Sequence, residues 1–346
     1  MAIHESRPST RATVSALVLA ALAAAALLVA ALPIQAQGVT FRLVHAVNPD
    51  HPYHLGALAF AEQMERETNG EIQVEVYSQG AFGSQVGADE RAQVEALVRG
   101  EVEIVITGSA VLSNWVPELR VLDLPFVIRD YAHADAVLDG PVGSRLLALF
   151  DERSTAMKPL GMWEQGYRHL TNSRGPVLVP EDVRGLRVRV QENEIHKAAF
   201  EALGAEPVQL PWDQAVQALR AGVVEGQENP LAVIVSYHLY EIHPYLALTG
   251  HFYAPAMMLI SEDAFNGLSP EHQAILLRAS ADASREARRL TRSLESDEIE
   301  RLRSAGTHIT QPDKELFREA MAPVYGAVTD PVERELVDLI LDAGGI

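Results

Sequence analysis

From Phe41 onward the chain alternates between two hydrophobic periods, and that alternation restricts its fold more than any single motif does. Phe41–Ala46 is a short apolar-rich strand. Leu55–Thr68 follows as an amphipathic helix stopped by Asn69-Gly70. Glu71–Tyr77 then alternates polar and apolar, with Ile72, Val74 and Val76 on one face. Ala88–Val98 reads as a helix ended by Gly100, and Val102–Ile106 as a buried strand. The pattern returns with Leu186–Val190 as strand, Glu194–Leu203 as helix before Gly204, and Asp213–Arg220 as helix before Gly222. Such alternation predicts an α/β fold, with helices layered on mostly parallel sheets. Ser269-Pro270-Glu271 opens a different kind of helix, with a capping hydroxyl, proline at the first position and an acid in the first turn. Its pattern runs to about Ser304. It is either one helix long enough to lie across two domains, or two helices broken near Ser293–Ser296.

The first 37 residues follow neither period. Arg7 and Arg11 precede an almost unbroken apolar run from Val14 to Leu32, and Pro33-Ile34-Gln35-Ala36-Gln37 follows. A basic region, an apolar region and a small residue at the cut site make a secretory signal peptide over residues 1–37, cleaved near Ala36. An uncleaved anchor is the competing reading, since the run approaches the roughly 20 residues that span a bilayer. Both readings put the body outside the cytoplasm; the first expects a periplasmic protein with no membrane insertion after cleavage. The length of 346 residues suggests about two domains. A net charge of −19 argues against nucleic acid and anionic lipid as partners, and any anionic ligand would need a local cation. With no cysteine, disulfides, a thiol nucleophile and Cys-ligated metal are excluded.

No dinucleotide fingerprint, phosphate loop, HExxH or GxSxG occurs. His51 and His54 stand at i, i+3 without a third ligand, and Pro52 makes that segment more turn than helix, so neither metal nor cofactor is expected. Asp89/Glu90 and Glu181/Asp182 read as helix-start or surface acids. No nucleophile stands beside a base, so an enzyme reading has no positive support. Three segments are nevertheless more polar than a plain α/β protein needs. Gly166–Asn172 follows an apolar stretch and puts Arg168 at a strand end. Asp182–Val190 is a turn leading into a strand with Arg187 and Arg189 on one face. Gly222–Pro230 packs a dense polar cluster between glycines. From the residues alone, Arg189 could be a surface arginine on an edge strand, Asn229 a turn residue before Pro230, and Trp212 a buried helix start.

Together with His51-Pro52, the strand Gly70–Tyr77, Leu122-Asp123-Leu124-Pro125-Phe126, Leu203-Gly204-Ala205, Leu210-Pro211-Trp212 and Leu248-Thr249-Gly250-His251, these segments resemble the TRAP-transporter solute-receptor family of the DctP type. The resemblance covers nearly the whole mature chain. One departure is Glu225, where the family usually has Asp, a change that keeps the charge. The resemblance implies a two-lobed periplasmic binding protein fold, with hinge segments and a long helix spanning both lobes. Lobe I would comprise residues 38–164 plus 254–292, and lobe II residues 165–253 plus 293–346. It implies that Arg189 pairs bidentately with a ligand carboxylate, the geometry a planar guanidinium suits. It also implies that Arg168 lies near the same carboxylate, that Asn229 hydrogen-bonds the ligand, and that Trp212 forms an aromatic wall. His45, Glu90 and Ser109 fall where the family places selectivity contacts; Arg187 stays at the surface, and His251 is structural near the lobe interface.

The function so implied is capture of a small organic carboxylate, whether dicarboxylate, 2-oxo acid or sugar acid, and its delivery to a TRAP permease. The two arginines tilt this towards a dicarboxylate or sugar acid. The protein is expected to act as a monomer and not as an enzyme. A periplasmic ligand sensor feeding a signalling receptor and a periplasmic hydrolase are the alternatives.

Overall fold

The structure, a computed structural model, describes residues 38–79, 81 and 87–344. The signal peptide expected over residues 1–37 lies outside them, and the compact body begins at Val39. Among the described residues no helix is long and apolar enough to cross a membrane. The first part runs β1 (Val39–His45), α1 (Pro52–Glu67), β2 (Ile72–Ser78), α2 (Glu90–Val98), β3 (Ile104–Gly108) and α3 (Ser109–Leu112). A 3-10 turn (Pro117–Asp123), α4 (Tyr131–Leu138), α5 (Pro141–Glu152) and β4 (Met157–Asn172) follow. The second part runs β5 (Arg187–Val190), α6 (Glu194–Ala202), β6 (Glu206–Gln209), α7 (Trp212–Arg220), β7 (Gly226–Pro230), α8 (Leu231–Ser236) and β8 (Tyr245–Ser261). It ends with α9 (Glu262–Asn266), α10 (Pro270–Ser304), β9 (His308–Thr310), α11 (Lys314–Met321) and α12 (Pro331–Asp342).

Two expectations change here. Pro52 begins α1 instead of a turn: its missing N–H costs nothing at the first helical position, and His51 caps the helix by accepting from Tyr53 N at 3.1 Å. The strands form one mixed sheet in the order β2-β1-β3-β8-β4-β7-β5-β6, with β9 beside β8, not mostly parallel sheets. Parallel pairs occur on both sides: β1 with β2 and β3, and β5 with β6 and β7. Between them β4 and β8 run antiparallel along nearly their whole lengths, and they pair antiparallel with β7 and β3 as well. Most residues of this ribbon are buried and none is exposed, so it carries no one-sided alternation to read. Its register slips at three places, between Pro159 and Gly161, between Glu164 and Gly166, and between Arg168 and Leu170; at the middle one Gly166 has φ +90°.

The long helix is one piece. α10 holds 35 residues without a break, about 52 Å at helical rise, capped by the Ser269 hydroxyl accepting from His272 N at 3.1 Å. Its N-terminal half supplies Leu276, Ala279, Ala283 and Ala287 to a core with Phe41, Phe60, Met64 and Trp163. Its C-terminal Leu302 enters a second core with Trp212, Ala215, Leu219 and Ile234. Between the two, Arg292 is bound to Glu164 at 2.7 Å and to Asp135 at 2.8 Å, and Tyr253 donates to the same Glu164 carboxylate. Helix and ribbon are thus pinned together at the middle register slip. The last helix, α12, docks on the first half through Glu333 and Arg120 at 2.5 Å.

Candidate functional site

The parallel strands β1, β3, β5, β6 and β7 all end towards one place, and the carboxyl ends of strands are where open α/β sheets bind ligands. Arg189 sits next to last in β5. It shares a face with Arg187, but Arg187 stays exposed and pairs with Glu225 at 3.4 Å, whereas Arg189 is only 3% exposed. Its Nε and Nη2 both donate to the Leu210 carbonyl, at 2.9 and 2.6 Å, and the guanidinium lies 5.6 Å from the Trp212 ring centre. Among the described residues no carboxylate lies within 4 Å of it. Burial pulls its pKa down to about 10, against the raising influence of Glu228 and Glu90. This is a desolvated cation that still lacks an anion.

Arg168 is in the opposite condition. It lies inside β4, not at a strand end, because Gly166 is a bend within a continuing strand. Its Nε and Nη2 grip the Glu228 carboxylate, with Nη2 to Oε1 at 2.9 Å, and Nη2 also donates to Asn229 Oδ1 at 3.1 Å. Burial alone would raise the Glu228 carboxyl. Arg168 overrides it, aided by His196 at 3.6 Å and His251 at 3.5 Å, and holds the carboxyl well below its ordinary range. Asn229 lies within β7 instead of a turn, its amide oriented by Arg168 on one side and by Gln227 Oε1 at 2.5 Å on the other.

Three cavities adjoin around these groups. One is lined by Glu90, Asn114, Arg189, Gln191 and Trp212. A second adds Ala46, Gln165 and Asn229 to Glu90, Arg189 and Trp212. The third is bordered by Ser109, Asp123, Gln165, Arg168, Gln191 and His196. Glu90 opens α2 behind the Asp89 cap and accepts from Thr107 Oγ1 at 3.1 Å and Gly108 N at 3.4 Å; burial raises its carboxyl. Trp212 opens α7 edge-on to Tyr237, whose hydroxyl reaches the Ala46 carbonyl at 3.2 Å.

Six of the seven residues singled out in the sequence therefore border these three neighbouring cavities, which share Gln191: Arg189, Arg168, Asn229, Trp212, Glu90 and Ser109. His45 lines none of the three cavities. The alternation of β1 turns its ring towards α1, where Nε2 lies 3.0 Å from His54 Nδ1. His251 faces Glu228, as a structural residue would. Gln165 and Gln191 were not foreseen. Gln191 lines all three cavities and Gln165 two of them, and the signal available was position: one follows the β5 arginine, the other precedes the Gly166 bend.

A buried, unpaired cation between two halves of a jointed α/β body is the equipment of a solute-binding protein, and that is the class this fold and site define. The sequence narrows it further. Residues 43–330 match the bacterial extracellular solute-binding proteins of family 7, the DctP family, and the chain belongs to that family. It is similar to the 2,3-diketo-L-gulonate-binding periplasmic protein YiaO of Escherichia coli, with 32% identity over 78% of this chain and 80% of that one. The sugar acid binding protein DctPAm of Advenella mimigardefordensis, solved with galactonate, superposes with a TM-score of 0.83 at 30% identity, covering 88% of this chain and 97% of that one. A TRAP periplasmic solute-binding protein of Polaromonas, solved with D-erythronate, gives 0.84 at 31% identity, covering 89% and 100%. The chain is accordingly a two-lobed TRAP-transporter solute-binding protein of the periplasm, taking small organic acids and working with membrane permease subunits.

Proposed function

We propose that this receptor captures a polyhydroxylated monocarboxylate of the sugar-acid kind, with Arg189 receiving the carboxylate and Glu90 the hydroxyls. The observation that carries this is the charge inventory of the cleft. Arg168 is neutralised by Glu228, so Arg189 is the cation left for an anion, and across the same cavity stands the Glu90 carboxylate. A second ligand carboxylate would face Glu90, whereas hydroxyls can donate to it. The amides of Gln165, Gln191 and Asn229 suit a ligand with several hydroxyls, and Trp212 can pack on its carbon face. Galactonate and D-erythronate, the ligands of two relatives, are acids of this type.

The lobes of this reading are residues 38–164 plus 254–292 and 165–253 plus 293–346; Glu164 and Arg292, the last lobe I residues before two of the crossings, are bound to each other, and α12 returns to dock on lobe I. Closure is a population shift driven by a ligand that touches both lobes. The protein is expected to act as a monomer. Capture without turnover is the expected behaviour, given relatives that bind solutes.

Isothermal titration with galactonate, D-erythronate, succinate, pyruvate and neutral galactose tests the reading. A hydroxy acid should bind best and be recovered unchanged. Arg189→Ala should weaken it by roughly 100-fold or more, the worth of a bidentate charged pair. Glu90→Gln should weaken hydroxy acids and improve succinate. Tightest binding of succinate by the unaltered protein would overturn the sugar-acid assignment, and undiminished binding by Arg189→Ala would overturn the site.

A further inference from the structure

On the division just proposed, Asp123 and Asn193 stand on opposite lobes, and their side chains meet. Asp123 ends the 3-10 turn and is 2% exposed; Asn193 is 5% exposed and caps α6. Asn193 Nδ2 donates to Asp123 Oδ2 at 2.8 Å, and Ser109 Oγ donates to Asp123 Oδ1 at 3.3 Å. The other end of the Asn193 amide is engaged too, since Oδ1 accepts from Ile195 N at 2.9 Å and His196 N at 3.2 Å. One amide therefore starts α6 and ties that helix to the facing lobe. We infer that Asp123 and Asn193 form a proton-linked latch, which engages as the lobes close over a ligand and takes up a proton on the Asp123 carboxyl. This rests on the lobe division and on the capture reading above.

The chemistry balances within the contacts present. A proton from solvent joins Asp123 Oδ1, the Ser109 hydroxyl rotates from donor to acceptor, and Asn193 continues to donate to Oδ2. The charged groups facing Asp123 are Arg168 of β4 and Glu228 of β7, with His196 of α6 and Tyr253 of β8 bordering the same cavity. On its own turn, Glu118 and Arg120 are paired away with Arg153 and Glu333. Burial pushes the Asp123 carboxyl up to about 7, and Glu228 adds to this, against the lowering bonds of Asn193 and Ser109 and the charge of Arg168. Opened to water, the carboxyl returns to the ordinary value of about 4. The closed-state value is the higher one, so closure takes up a proton between about pH 4 and 7. Ligand affinity then rises as pH falls from 8 through 7 and levels off near 4. His196 stacks on Phe252 and faces Glu228, both on its own lobe, so closure leaves its main partners in place.

The test is isothermal titration of the full protein with galactonate, D-erythronate and succinate, at pH 8 to 5 and in buffers of different ionisation enthalpy. Binding should tighten roughly 10- to 100-fold from pH 8 to 5, with close to one proton taken up per ligand near pH 6. Asp123→Asn resembles the protonated acid and should bind tightly with no pH dependence. Asn193→Asp keeps a good helix cap but sets two carboxylates face to face, so binding should be weak at pH 8 and recover at pH 5. Flat affinity with no buffer-dependent heat, in a protein whose binding still collapses in Arg189→Ala, overturns the latch and leaves the capture reading standing. Binding of none of the three acids overturns both.

Discussion

Replacing Arg189 by methionine should separate function from stability, because the desolvation cost of the buried arginine is about as large as the contribution of its contacts within the fold. Burial draws its guanidinium from its ordinary value down to about 10, which corresponds to about 3 kcal/mol of desolvation. The folded value is the lower one, so this cost is fully present at any pH below about 10. Methionine removes it while filling much of the same volume. Against that gain stand the bonds to the Leu210 carbonyl, whose loss costs about 1–3 kcal/mol. The contact with Trp212 is worth about 1 kcal/mol more. These terms nearly cancel, so the ligand-free Arg189→Met protein should unfold in urea within about 1–2 kcal/mol of the parent. With an acid present at one hundred times its dissociation constant, the parent should gain about 2.7 kcal/mol and the variant nothing. A ligand-free loss above about 4 kcal/mol would show the arginine to be a structural strut, and the reasoning from its unpaired charge would be wrong.

Glu228→Gln should be far more damaging than Arg189→Met, costing about 3–5 kcal/mol in urea denaturation, because it strands Arg168 at 2% exposure; a loss under 1 kcal/mol would contradict the ion-pair account. Gly161→Ala should cost about 1–3 kcal/mol, since its Cβ would fall 2.2 Å from Ser284 Oγ, and adding Ser284→Ala should recover most of the loss. Burial brings His45, His51 and His169 down to about 3, below the unfolded value of 6.5. Their neutral burial is therefore fully compatible with folding above pH 6.5, and stability should fall below it by about 1.4 kcal/mol per pH unit for each ring. Urea midpoints at pH 7, 6 and 5 that do not move would contradict this.

The parts of the fold legible beforehand were those with a clear period or a short apolar run between turn residues. β2 and the helices stopped by Asn69-Gly70, Gly100, Gly204 and Gly222 were readable because their exposed sides are polar, and β1 and β3 because they are short apolar runs. The β4–β8 ribbon was not, for both its faces are buried and its pairing joins residues such as Glu164 and Pro255 that sequence cannot bring together. The site divides in the same way. Arg189 and Arg187 look alike in an R-V-R-V strand, and only the depth of the second arginine beneath Leu210 and Trp212 sets it apart as the one proposed to receive an anion. That Arg168 belongs to Glu228 was invisible, since the partners lie 60 residues apart. Gln165 and Gln191 carry no charge to draw notice. His45 had the right strand position and the wrong side of it.

α10 bears on how faithfully the empty and loaded receptor can be told apart. A rod anchored in both cores and bolted to the ribbon by Arg292 leaves the lobes little freedom to slide or twist independently. On the capture reading, any opening between the lobes has to bend this rod or the ribbon beside it, which is irregular at Gly166. A permease would then tell the two states apart by how far one rod has flexed.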